Sequence, residues 1–398
     1  MENKQVLELN NQLLATSKFL NTFLRNVRGQ KLLIIGAGCS KNYSQSSSQI
    51  QGLASPLDND FFRMAKKVLL SGKVESDFLL RIQNLILSLQ SLYGYNLDFG
   101  EDMLKTDWIR TESGQRALDV LDDKRLSLEK VMTQLNLENE VFQPMPSDYG
   151  YPRKTNSSDY DYSLAELFEL VAITIEEALK GDVCPEHLRL ANSLGQGDAV
   201  ISFNYDLLMD NALRKAQKLT DSGYFLPFHK ALGDSGWESP QNTPSDVSML
   251  KLHGSLNWLH CSYCNSYLLT RSEKMGSWSS LKTKNCPICG ESNYYLERVI
   301  VPPLLAKDYS VHPLKYLWNR AIRQVTISKE IVIIGYSFPP TDFGTEALLR
   351  WGLSGDFQKR VRFTVVDPKE AVYERVKDAF NSSTVVWKKS LAEYFESV

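Results

Sequence analysis

Continuous apolar runs that stop at a glycine, asparagine, histidine or aspartate recur along this chain, and most lead into segments whose apolar residues return at helical intervals. The first is "KLLIIGAGCS", from Lys31 to Ser40. Next come "DAVISFNYD" followed by "LLMDNALRKAQKL", then "SMLKLHGS", "EIVIIGYSFPPTD" followed by "FGTEALLRWGL", and "RVRFTVVDP" followed by "KEAVYERVKDAF". Unbroken Val/Ile/Leu runs read as strands buried on both faces, and the helices between them read as crossovers. The pattern predicts an α/β fold: a doubly wound, Rossmann-like parallel sheet.

The first strand is cut off from the others by a long helical stretch. "DNDFFRMAKKVLL", "SDFLLRIQNLILSLQSLYG", "SLEKVMTQLNL" and "SLAELFELVAITIEEALKG" carry helical spacing, several opening on a Ser or Asp suited to capping. A turn-rich linker, from Gln143 to Ser163, interrupts them. The predicted organisation is an N-terminal helix over 1–30, a core made of 31–40 and 195–398, a helical insertion over 41–194, and a zinc ribbon over 260–296 inside the core.

At 398 residues and 43% hydrophobic content, the chain has enough apolar material for a large core and a second module. With 45 basic against 47 acidic residues, the net charge of -2 offers no general attraction to nucleic acid or an anionic membrane. The N-terminal stretch has no apolar signal core, and no segment is apolar over a membrane's width, so a cytoplasmic protein is expected. Four of the six cysteines form two close pairs and the others, Cys39 and Cys184, stand alone. That is the arithmetic of a metal site in a reducing compartment.

In a doubly wound sheet, ligands bind outside the carboxyl ends of the strands. Gly36, Ala37 and Gly38 form the first such loop, where small residues let the backbone approach a pyrophosphate and a helix near Ser40 would aim its amides at it. A tight turn explains them equally, because the longer dinucleotide fingerprint breaks at Lys41. Gly335 and Ser337 form a second loop, and Asp367 ends a further strand where a carboxylate binds ribose hydroxyls or caps the next helix. Asn204 and Asp206 close "SFNYD": the amide suits a ribose or a held water, and the carboxylate suits an orienting role or a helix cap. His253, beside a glycine that would keep one side open, is a candidate general base or a hydrogen-bonded structural histidine.

The cysteine spacing is more specific. "CSYC" and "CPIC" place Cys261, Cys264, Cys286 and Cys289 as two knuckles able to close a tetrahedron around structural zinc, with no position left for substrate. His253 is then not needed as a ligand, and His260 is left as a structural residue.

Taken in order, "GAGCS", "FNYD", "LHGS", the two knuckles, "IIGYS" and "VVDP" resemble the motifs of the sirtuins. The resemblance covers Lys31–Ser40 and Gly195–Val398 and omits the helical stretch. It implies cleavage of the nicotinamide–ribose bond of NAD, with Asn204 and His253 essential and Asp206 orienting. Phe203 stands where that family carries a glutamine, and "VIVPPLLAKDYS" replaces the segment that pairs with an acyl-lysine peptide. Prolines 302 and 303 lack the amide hydrogens such pairing uses. The wording is similar to bacterial sirtuin-like NAD hydrolases of anti-phage defence, which implies a gated NAD glycohydrolase, a homo-oligomer and a partner such as a HerA-type ATPase. An NAD-dependent protein lysine deacylase and a non-catalytic NAD or ADP-ribose sensor are the alternatives.

Overall fold

The computed structural model describes residues 30–41, 50–96, 105, 107–140, 158–179, 183–232, 236–270, 285–291, 296–301, 303–304, 313–354, 361–380 and 385–397. The expected N-terminal helix and the linker up to residue 157 lie outside the described residues. The strands are β1 (Gln30–Ile35), β2 (Ala199–Ser202), β3 (Phe228–Ala231), β4 (Trp237–Glu238), β5 (Ser248–Lys251), β6 (Gly254–Cys261), β7 (Tyr267–Leu269), β8 (Leu296–Ile300), β9 (Ser328–Ile334), β10 (Arg362–Val366) and β11 (Val385–Lys388).

Six of them form one sheet in the order β11-β10-β9-β1-β2-β5, every neighbouring pair parallel. The doubly wound sheet expected from the apolar runs is therefore the observed fold. β1 lies inside it, between β9 and β2, with Leu32, Leu33 and Ile34 fully buried. Each such side chain contributes about 1.5–3 kcal/mol by leaving water. The strand has no polar face because the protein has none to offer it.

Helices Leu208–Lys215, Leu314–Ile327, Phe343–Gly352 and Glu370–Phe380 follow the strands as crossovers, and their apolar residues join the sheet in one core. Helix Pro185–Ser193 joins the same core through Leu190 and Ala191. The helical stretch before it builds a second apolar cluster around Phe61, Phe78, Leu85, Trp108, Leu135 and Leu167. One expected helix there is two, Ser76–Arg81 and Gln83–Tyr93, the latter ended by Gly94 in the left-handed conformation at φ 76.

A feature absent from the sequence reading is a second sheet, ordered β4-β3-β7-β6-β8. β6 runs directly from the His253–Gly254 turn to the first knuckle cysteine, so the metal module continues a strand and is not a separate appendage. Trp258 fixes it, packed edge-on against Tyr224 at 5.4 Å between ring centroids. Among the described residues, no helix is long and apolar enough to cross a membrane.

Candidate active site

The carboxyl ends of β1, β2, β5 and β9 are neighbours or near neighbours, so the loops that follow them meet at one edge of the sheet. Two glycine loops are clasped together there. Gly36 N donates to Ile334 O at 3.1 Å, and Gly38 N donates to Gly335 O at 2.9 Å. A Cβ on Gly36 would lie 2.7 Å from the Tyr336 ring, and one on Gly38 would lie 2.8 Å from Gly335 O. The glycines thus have a structural cause: the backbone that approaches them is that of the other loop. The helix after β1 begins at Ala37, earlier than the expected start near Ser40, and spans Ala37–Lys41. Ser40 is fully buried within it.

Asn204 and Asp206 turn inward against this loop. Asn204 Nδ2 donates to Gly36 O at 3.1 Å, while Oδ1 is buried with no hydrogen-bond partner among the described residues. Such a group costs about 1–3 kcal/mol when unsatisfied, so an unused acceptor in a loop cluster marks a place for a ligand donor or water. Asp206 makes two bonds: Oδ1 accepts from Leu208 N at 3.0 Å, where the helix Leu208–Lys215 begins, and Oδ2 accepts from Ser40 Oγ at 2.9 Å. The two motifs, far apart in sequence, are thereby tied.

Below them, Lys251 is fully buried and its Nζ donates to Asp206 O and, at 3.1 Å, to Asp210 Oδ2. Tyr224 OH donates to the other Asp210 oxygen at 2.6 Å. A buried ion pair gives little net stability but is costly to break from one side, so it fixes the end of β2 against β5.

His253 lies two residues past the end of β5, after Leu252, and it is buried. Gly254 does not hold one side of it open, as its sequence position suggested: a Cβ there would lie 1.8 Å from Val299 O, and the residue sits at φ +79. The glycine is required because β8 passes against the turn. The imidazole meets the edge of Phe203 at 4.9 Å between ring centroids, and Nε2 lies 3.7 Å from Asp342 Oδ1. Asp342 was not foreseen. Its only sequence signal is its place eight residues after the end of β9, in the loop that carries Gly335.

Phe203 in turn stacks on Tyr336 at 4.5 Å and 19°. Ser337 is exposed, and its carbonyl accepts from Arg375 Nη1. Asp367 Oδ1 accepts from Lys369 N at 2.9 Å, the geometry of a turn before helix Glu370–Phe380. Both stand on the same sheet edge as the loops of β1 and β2.

Behind the first loop lies a buried chain of sulfur and imidazole: Cys39 Sγ is 3.4 Å from His187 Nε2, and His187 Nδ1 is 3.0 Å from Cys184 Sγ. Burial pushes the Cys39 thiol far above the ordinary range and Cys184 up to about 12, and holds His187 below its ordinary value. These are protonated thiols against a neutral ring, which is a packing arrangement and not a nucleophile.

The four knuckle sulfurs lie within 4.8 Å of one another, with Cys261–Cys289 at 3.9 Å and Cys264–Cys286 at 3.8 Å. A tetrahedron with Zn–S bonds of about 2.3 Å has edges of about 3.8 Å. The cluster is compatible with structural zinc. His260 is not among the ligands: its Nε2 lies 2.8 Å from Asn265 Oδ1 and its ring stacks on Tyr267 at 4.9 Å.

Comparison with known proteins gives a family match for part of the chain. Residues 198–385 match the SIR2-like domain. No curated protein matches the chain. Among solved structures, it is similar to a Sir2 homologue in complex with NAD, at 14% identity over 68% of this chain and 91% of that one, TM-score 0.35. A Sir2 with a p53 peptide and NAD+ matches at 15% identity over 66% and 88%, also 0.35, and a sirtuin studied for substrate affinity at 12% over 96% of each, TM-score 0.38. At scores below 0.5 these likenesses decide nothing about chemistry. The SIR2-like domain takes in β2 and its Asn204, β5, His253, the knuckles and β9; β1 and its glycine loop lie before it in sequence and complete it in space.

Proposed function

We propose that this protein is an NAD+ glycohydrolase that releases nicotinamide and ADP-ribose. The observation that carries the reading is the buried acceptor of Asn204: its amide nitrogen is spent on the glycine loop and its oxygen faces the same cluster without a partner. That oxygen would hold a ribose hydroxyl or the attacking water. His253 would take the proton released there, and the oxocarbenium-like ribosyl centre would form in a site largely closed to water. Gly36, Ala37, Gly38 and Ser40 would line the phosphates, with Gly335, Ser337 and Asp367 serving the rest of the dinucleotide, and Asp206 would orient the first loop.

The segment after β8 favours hydrolysis over deacylation. Val301 N donates to His253 O at 3.0 Å, and Val301 O accepts from Tyr205 OH at 2.6 Å. Both main-chain groups that a substrate peptide would pair with at this residue are in use, which supports the reading from the prolines. Purified protein given NAD alone should yield nicotinamide and ADP-ribose by mass. Turnover only with acyl-lysine peptide would instead establish a deacylase, and tight binding without turnover a sensor.

In this reading Cys261, Cys264, Cys286 and Cys289 hold one zinc ion, which supplies folding energy to the knuckles and no step of the reaction. Metal analysis should return about one zinc per chain, and Cys286→Ser should lose it. An enzyme that destroys NAD must be gated, so an anti-phage role, assembly of copies of this chain and a HerA-type ATPase partner in the cytoplasm belong to the same proposal.

A further inference from the structure

The loop after β9 brings a carboxylate to His253 that the motif order did not announce. We propose that Asp342 is a positioning residue for His253: its carboxylate fixes the imidazole ring and stabilises the cation formed when the ring takes a proton. Asp342 and His253 are both buried, and Asp342 Oδ1 lies 3.7 Å from His253 Nε2. That separation is too long for a hydrogen bond to a neutral ring and well within reach of an ion pair, so the attraction grows as the ring becomes charged. The carboxylate is itself anchored. Tyr336 OH donates to its other oxygen at 2.8 Å and lies 3.0 Å from Thr345 Oγ1, and Asp342 N donates to Pro339 O at 2.8 Å. Phe203, stacked on Tyr336 and edge-on to His253, completes the frame and keeps the ring from tilting away.

Other charged groups described at these strand ends have partners of their own. Lys251 gives its ammonium to Asp206 O and Asp210, and the Asp206 carboxylate accepts from Ser40 and Leu208 N. Tyr205 donates its hydroxyl to Val301 O, and burial holds that phenol far above the ordinary range, so it stays neutral.

The role rests on the proposed NAD cleavage only for its kinetic consequence, and the first test does not depend on turnover. In the full chain labelled at histidine, the His253 signal is assigned by its loss in His253→Gln. In Asp342→Asn it should titrate at least about one pH unit lower. Equal titration in the two proteins overturns the proposal. Should Asp342→Asn fail to fold, Asp342→Ala takes its place, and titration equal to the wild type overturns the proposal as well. If the protein cleaves NAD, Asp342→Asn should lower kcat about 10²-fold with KM for NAD little changed, as for loss of a group acting only in the transition state. The sign of the pH effect follows. His253 acts as a base when neutral, so a lower titration point moves the acid limb of the rate profile to lower pH. An unmoved limb would leave Asp342 a merely structural residue. Absence of turnover in every variant, with the titration shift present, would reject the NAD reading and retain the pair.

Discussion

His253→Ala should reduce kcat for NAD cleavage by about 10²–10⁴-fold, the contribution of a placed general base. Asn204→Ala should cost about 10²–10³-fold, the usual loss for one placed polar group at a developing charge. The two losses differ in kind. His253 is held by its strand, by Phe203 and by Asp342, so its removal takes away a proton acceptor and leaves the glycine loops clasped. Asn204 holds Gly36 O as well as presenting its own oxygen, so its loss should raise KM in addition to lowering kcat. Asn204→Asp separates the two functions: the facing oxygen is kept, while the donor to Gly36 O becomes an acceptor and repels it. Steady-state kinetics beside thermal melts would check this, and wild-type turnover in either alanine variant with an unchanged melting temperature would remove that residue from the chemistry.

Gly335→Ala should be severely damaging, because the added methyl would meet the backbone of the other glycine loop. The residue sits at φ +58, and its Cβ would lie 2.1 Å from Cys39 N and 2.3 Å from Gly38 C. The left-handed conformation alone costs an alanine about 1–2 kcal/mol. The clash is with backbone on both sides, and neither side can rotate away as a side-chain tip would. Separating the loops breaks the bond from Gly38 N to Gly335 O and shifts Tyr336 from its stack on Phe203. A loss above about 4 kcal/mol is expected, at the exceptional end for one substitution. Denaturant unfolding measures it, and a midpoint equal to the wild type would show that the loops are not held as described.

The parallel sheet was legible because its strands are unbroken Val/Ile/Leu runs, a pattern that only burial on both faces produces. Asn204, Asp206, His253 and Gly335 were legible as the polar or small residues at which such runs stop. What joins them was not. Ser40 reaches Asp206 across β1 and β2, and His253 reaches Asp342 from β5 to the loop after β9, and neither pairing has a sequence spacing to announce it. The second sheet was hidden for a different reason. β4 has two residues and β7 three, too short for any periodicity, while β6 carries Ser255 and Asn257 inward, where Ser255 Oγ donates to Asn257 Oδ1 at 2.8 Å. An inward polar pair erases the alternation by which a strand is recognised. Gly254 misled because close approach of β8 and an open flank ask for the same residue type.

The central place of β1 sets the order in which the molecule can be assembled. It leaves the ribosome first among the described strands, yet both its neighbours come much later, β2 after the helical stretch and β9 after the knuckles. Pairings of such sequence separation carry a large loop-closure entropy and make for slow folding, whereas the helices between them meet through local contacts. The helical cluster can therefore consolidate while β1 waits unpaired. A nascent chain holds no clasped glycine loops and no His253–Asp342 pair until β9 and the loop after it have emerged, so the proposed activity would have to wait for that segment.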